Sequence, residues 1–159
     1  MHMSGNNPIS PDHYKQGDTE LKEIFQISLS REELRGSFKT HIWEYVYRHP
    51  EKNGIEDLRK ALWFLDHWIA DEKTYINISD DDDDVLLTKL QFIQDIEIME
   101  RIHRPNQLRG YFQLSIEILL NKNEKKGGLK DLYRARSHLD RLILNEEIWL
   151  ENKQYGEAV

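Results

Sequence analysis

The sequence predicts an all-α protein, a compact bundle of about six helices built from two pseudo-equivalent three-helix repeats. Three observations carry that expectation. The stretch "LRGSF" at Leu34–Phe38 returns as "LRGYF" at Leu108–Phe112, 74 residues later. At the same offset, Lys52–Ile69 overlies Lys126–Ile143 without a gap, and 13 of 36 positions from Leu34 to Ile69 are identical, so the echo is a repeat rather than chance. Within each repeat the shared apolar residues recur at three- and four-residue spacing, the period of a helix face.

Residues 1–19 are polar, carry Pro8, Pro11 and Gly17, and read as an N-terminal arm. A short helix is expected from Glu20 to Ile27, with Leu21, Ile24 and Phe25 on one side. Ser30 followed by Glu33 is a capping box. The helix it opens places Leu34, Phe38, Ile42, Tyr45 and Val46 on one face and ends before Pro50. A third helix starts near Ile55 and carries Leu58, Ala61, Leu62, Leu65 and Ile69. "TYINIS" (Thr74–Ser79) is β-prone but isolated. An acidic linker, 74–84, closes the first repeat at residue 73.

The second repeat, 85–152, opens with a helix from near Val85 past Met99. Pro105 marks the next start, with Leu108, Phe112, Ile116, Leu119 and Leu120 on the matching face. "NEKKGG" is the expected turn, and a last helix runs from Leu129 to Trp149 before a tail at 153–159.

Composition narrows the function classes. A net charge of −7 argues against direct binding to nucleic-acid backbone, which needs clustered Lys and Arg. It leaves open an acidic mimic of nucleic acid aimed at a basic partner. With no cysteine there are no disulfides or thiolate metal sites, which suits a cytoplasmic protein. No run of eighteen apolar residues is present, so no membrane span is expected. The seven histidines lack zinc-site spacing, and no metal site is expected. The carboxylate pairs Glu20/Glu23 and Glu97/Glu100 have the spacing of a Mg²⁺ pair, but charge-rich helices produce such pairs by chance.

The repeats differ beside the core stripe. Leu62, Trp63 and Phe64 of the first correspond to Arg136, Ser137 and His138 of the second. Together with Trp68, they give the first repeat a wide apolar surface. It is either covered by the second repeat or offered to a host protein or a second copy of the chain, in which case Trp63, Phe64 and Trp68 are the contact residues.

"PDHYKQGD" and the following "ELRGSFKTHIWEYVYRHPEKNGIEDLRKALWFLD" resemble a family of small bacteriophage proteins catalogued as a domain of unknown function. One podophage member is a nucleoside monophosphate kinase without a P-loop. A lactococcal member is associated with sensitivity to an abortive-infection system. The likeness rests on His13-Tyr14, on Tyr45-x-x-Arg48 followed by Lys52, and on Asp57-Leu58-x-Lys60-Ala61. It implies a nucleotide site made by His13, Tyr14, Tyr45, Arg48, Lys52 and Lys60, with Mg²⁺ and ATP if a kinase. His41 and Glu44 depart from the pattern, standing where the family has Asn and Lys, and a carboxylate repels phosphate. The chain also lacks a GxxxxGK[ST] loop. The expected function is therefore a non-enzymatic phage-type protein binding a host protein of defence or replication and needing no cofactor. The nucleotide-binding or kinase reading is the alternative and the acidic mimic the third.

Overall fold

A computed structural model describes the backbone of residues 15–16, 19–20, 28–76, 94–126 and 128–154. The fold is an all-α bundle. Two strands of two residues each, β1 (Lys15–Gln16) and β2 (Thr19–Glu20), pair antiparallel ahead of it. Glu20, expected to open a helix, is thus in a ladder, paired with Lys15. The rest of the expected first helix, the linker from residue 77 to 84, the expected helix start at 85–93 and the last five residues lie outside the described residues.

Helix α1 (Arg31–Arg48) begins as its sequence dictates. The Ser30 side chain accepts the Glu33 N–H and the Glu33 carboxylate accepts the Ser30 N–H, each at 3.1 Å. Acidic Glu32 and Glu33 sit in the first turn and Arg48 in the last, complementing the helix dipole. After His49 and Pro50 the chain turns through Gly54, whose φ of 57° suits glycine, into α2 (Ile55–Ile76). The α2 helix continues through Thr74–Ile76, three residues past the boundary expected at 73. There Tyr75 lies under the Arg31 guanidinium at 4.1 Å, a tertiary contact that overrides a weak β propensity.

Residues 94–102 form the described part of α3. Helix α4 (Pro105–Lys126) has proline in its first turn, where the missing N–H is not needed, and Gln107 accepts the Arg104 N–H at 3.0 Å. It extends through most of the expected "NEKKGG" turn, because Glu and Lys are good helix formers and only the glycine pair breaks the run. Helix α5 (Leu129–Gln154) completes the bundle.

The α1–α2 and α4–α5 hairpins pack within themselves, and α2 lies against α5 while α1 meets α4 more lightly. The core is built from equivalent positions of the two repeats. Leu34, Phe38, Ile42 and Val46 are matched by Leu108, Phe112, Ile116 and Leu120, and Leu58, Ala61, Leu65 and Ile69 by Leu132, Ala135, Leu139 and Ile143; all are buried.

An ion pair repeats with them. Arg35 donates to Glu72 at 2.6 and 3.1 Å, and 74 residues on Arg109 donates to both oxygens of Glu146. Arg31 and the Trp68 indole N–H add to Glu72, while His49 Nε2 lies 3.4 Å from Glu146. Burial pushes both carboxyls up, but these donors outweigh it and hold both below the ordinary value of 4.5.

A carboxyl held below its unfolded value contributes stability that is complete above pH 4.5 and is lost as the pH falls through the lowered value. Acid unfolding should therefore steepen below about pH 4.5, and E72Q/E146Q should flatten that limb. Circular dichroism against pH checks this. At neutral pH, Glu72→Ala should cost about 3 kcal/mol in urea unfolding, since it strands Arg35 and the Trp68 N–H.

Candidate functional site

The residues expected from sequence to hold a nucleotide lie where α1 ends and α2 begins. Tyr45 faces the hairpin interior at the last turn of α1, and its ring carries the Arg48 guanidinium at 4.6 Å and Lys60 Nζ at 5.7 Å. Tyr45, Arg48 and Lys60 thus do converge. Lys52 is exposed on the connecting turn. His13 and Tyr14 lie outside the described residues.

The cations are already engaged. Arg48 donates from Nε and Nη2 to the two oxygens of Asp57, at 3.3 and 3.1 Å, and from Nη1 to Glu44 at 3.3 Å. Asp57 is fully buried and also accepts the Asn53 N–H at 3.1 Å, which ties the preceding turn to the first turn of α2. Lys60 faces Glu56 at a looser 3.6 Å. An incoming phosphate would have to draw Arg48 away from a carboxylate with no access to water, which is costly. Asp57 has a structural task here, and Glu44, one of the two residues that depart from the pattern of the resemblance, helps neutralise Arg48.

Beside this cluster runs an aromatic ladder. His41 stacks on Phe64 at 4.7 Å, Tyr45 on Phe64 at 6.0 Å, Trp63 sets its edge to Phe64 at 4.9 Å, and His67 tilts against Trp63 at 4.0 Å. The expected contact residues Trp63 and Phe64 are therefore half-buried members of an intrachain stack. Trp68 is a correction. It is 0% exposed, stacks on Phe38 at 6.1 Å and donates to Glu72, so it belongs to the core and offers no surface to a partner. Its sequence position suggested an outward edge, but the helix places it on the same face as Leu58, Leu65 and Glu72.

Among the described residues the exposed large aliphatic side chains lie in the other repeat. Leu114 and Ile118 on α4 are 55% and 48% exposed, and Leu144 and Ile148 on α5 are 41% and 44% exposed. Their equivalents 74 residues earlier are Thr40, Glu44, Ala70 and Thr74, also exposed. The fold places these positions in water twice and needs nothing apolar there, as the first repeat demonstrates. The signal was present in the repeat alignment, in the exchanges Thr to Leu, Glu to Ile, Ala to Leu and Thr to Ile.

In the second repeat, His138 replaces Phe64 and is buried. Its Nδ1–H donates to the Arg134 carbonyl at 2.7 Å, and the Tyr111 hydroxyl lies 3.3 Å from Nε2. Burial pushes this histidine below its ordinary 6.5. Glu100 of the Glu97/Glu100 pair is taken up by Arg141 and by Asn145, the latter at 2.6 Å. Among the described residues no group of three or more His, Asp or Glu side chains is disposed to hold a metal ion. No helix among them is long and apolar enough to cross a membrane.

Fold and site together define an all-helical protein with an internally neutralised polar cluster in one repeat and exposed apolar pairs in the other. A family model described as a protein of unknown function, DUF3310, matches residues 9–66, which take in the later part of the N-terminal arm, α1 and about half of α2. No curated protein and no solved structure matches the chain.

Two outcomes are expected. Arg48→Ala should cost about 1.5–3 kcal/mol in chemical unfolding by stranding Asp57, whether or not any ligand is present. A histidine held below 6.5 contributes stability that is complete above that value and lost as the pH falls toward the lowered one. His138→Phe, which restores the residue of the first repeat, should remove that loss. Melting curves between pH 7.5 and 5 check it.

Proposed function

We propose that this chain is a small non-enzymatic binding protein of bacteriophage type, acting in the cytoplasm of an infected bacterium on a host protein of defence or replication. In this reading it consists of two tandem, diverged copies of the unit that the family model describes, and it uses no cofactor. The observation that carries the reading is the exposure of Leu114, Ile118, Leu144 and Ile148 at positions where the first repeat is polar or small. Large apolar side chains that the fold does not require mark interaction surfaces. The phage assignment, and with it the host partner, rests on the resemblance of His13-Tyr14, Tyr45-x-x-Arg48 and Asp57-Leu58-x-Lys60-Ala61.

The meeting of Arg48 and Lys60 on the Tyr45 ring favours a second reading, a nucleotide-binding protein or a nucleoside monophosphate kinase without a P-loop, using Mg²⁺–ATP. The commitment of Arg48 to Asp57 and Glu44 weighs against it.

The test returns the apolar positions to the residues of the first repeat. L114T/I118E and L144A/I148T should leave unfolding free energies within about 0.5 kcal/mol of the parent. They should abolish capture of a discrete protein from extract of a bacterial host. In parallel, ATP–Mg²⁺ and deoxynucleoside monophosphates at millimolar concentration should leave the melting temperature unchanged. A nucleotide-selective rise, near 2.7 kcal/mol at about a hundred times the dissociation constant and lost in R48A, would instead put the second reading first.

A further inference from the structure

We infer that the two repeats select each other and reject themselves, through a two-fold interface whose contacts have been made complementary in one pairing only. Across the face between α2 and α5, Arg59 pairs with Glu147 at 2.7 Å. Arg59 corresponds to Tyr133 in the other repeat, and Glu147 to Lys73. The reciprocal contact is also present, with Lys73 Nζ lying over the Tyr133 ring at 5.9 Å. A contact that recurs with the roles of the two halves exchanged is the signature of an isologous interface, the kind that joins the subunits of a two-fold dimer. The second repeat therefore occupies the place of a second subunit.

The chemistry of this reciprocal pair discriminates. In the observed pairing a guanidinium meets a carboxylate, and an ammonium meets the electron-rich face of a ring. Were the first repeat to pair with a copy of itself, Arg59 would face Lys73 at both places, cation against cation. Were the second to pair with itself, the Glu147 carboxylate would approach the Tyr133 ring, whose face repels negative charge. Each self-pairing is penalised twice, and only the mixed pairing satisfies both contacts.

Arg136 adds a further determinant. It donates at 2.6 Å to Asp66 of the first repeat and at 2.6 Å to Asp140 of its own helix. Asp66 and Asp140 are equivalent residues, whereas Arg136 stands where the first repeat has Leu62. Self-pairing of the first repeat would bring two Asp66 carboxylates to this place with leucines and no arginine. Burial and the neighbouring Asp66 raise the Asp140 carboxyl against the lowering effect of Arg136, in keeping with two carboxylates sharing one cation.

The experiment uses the full chain. Glu147→Lys installs the residue of the first repeat, so Arg59 faces a lysine as it would in self-pairing. Its melting midpoint should fall by about 2–4 °C, with part of the loss recovered in molar salt. Adding R59E to E147K, which restores an opposite pair with reversed polarity, should return the midpoint to within a degree or so of the parent. R136L should lower the midpoint as well, and D140N should recover part of that loss by removing one of the two carboxylates left without a cation. An unchanged midpoint in E147K, or an R59E that deepens its loss, overturns the inference. An R136L protein as stable as the parent removes Arg136 from it.

Discussion

Two carboxylates, Glu72 fully buried and Glu146 largely so, tie the hairpins together at their open ends. Each sits on the second helix of its repeat and takes a forked guanidinium from the first, so the register of helix on helix is set by paired hydrogen bonds as well as by apolar packing. Shifting either helix by a turn would leave a buried carboxylate without its cation, a far larger penalty than a rearranged leucine. Glu72 also receives Trp68, the largest side chain of the core, and Glu146 lies close to His49 of the other repeat. The apolar core gives the bundle its driving force, and these pairs restrict which bundle forms.

From that frame the rest follows with little freedom. The α1–α2 turn must bring Arg48 onto Asp57, because Asp57 is fully buried and faces the helix start. The Tyr45 ring fills the space beneath and accepts two cations on its face. What a sequence motif presents as a row of phosphate ligands is, in this chain, a set of groups whose charges are largely met from within. The same residue types serve recognition or internal order depending on what carboxylates stand beside them.

Much of the fold was legible because the signals were local and periodic. Ser30 and Glu33, Pro105, and the apolar stripes shared by the two repeats each have a direct mechanical meaning, and the helices begin where these residues indicate. The ends were less legible. Whether α2 stops at residue 73 or at Ile76 depends on Arg31 reaching Tyr75, a contact between residues far apart in sequence. Tyr45, Arg48 and Lys60 share one helix junction in sequence and meet there in the fold. Trp68 was less legible because a large aromatic near Trp63 and Phe64 suggests surface, while its spacing of three from Leu65 and four from Glu72 carries it into the core. The exposed apolar pairs were not plainly legible because Leu114, Ile118, Leu144 and Ile148 are apolar residues on helices whose core stripes are apolar too, and only the packed bundle shows that they face water.

An ordinary two-fold dimer displays every feature of its surface twice, and anything that binds it can be held at two places or bridge two molecules. Here one polypeptide supplies both halves, and the halves differ at Leu114, Ile118, Leu144 and Ile148. Each feature is therefore displayed once. A partner bound at these four side chains would meet them once per chain and would gain no avidity from the symmetry beneath them.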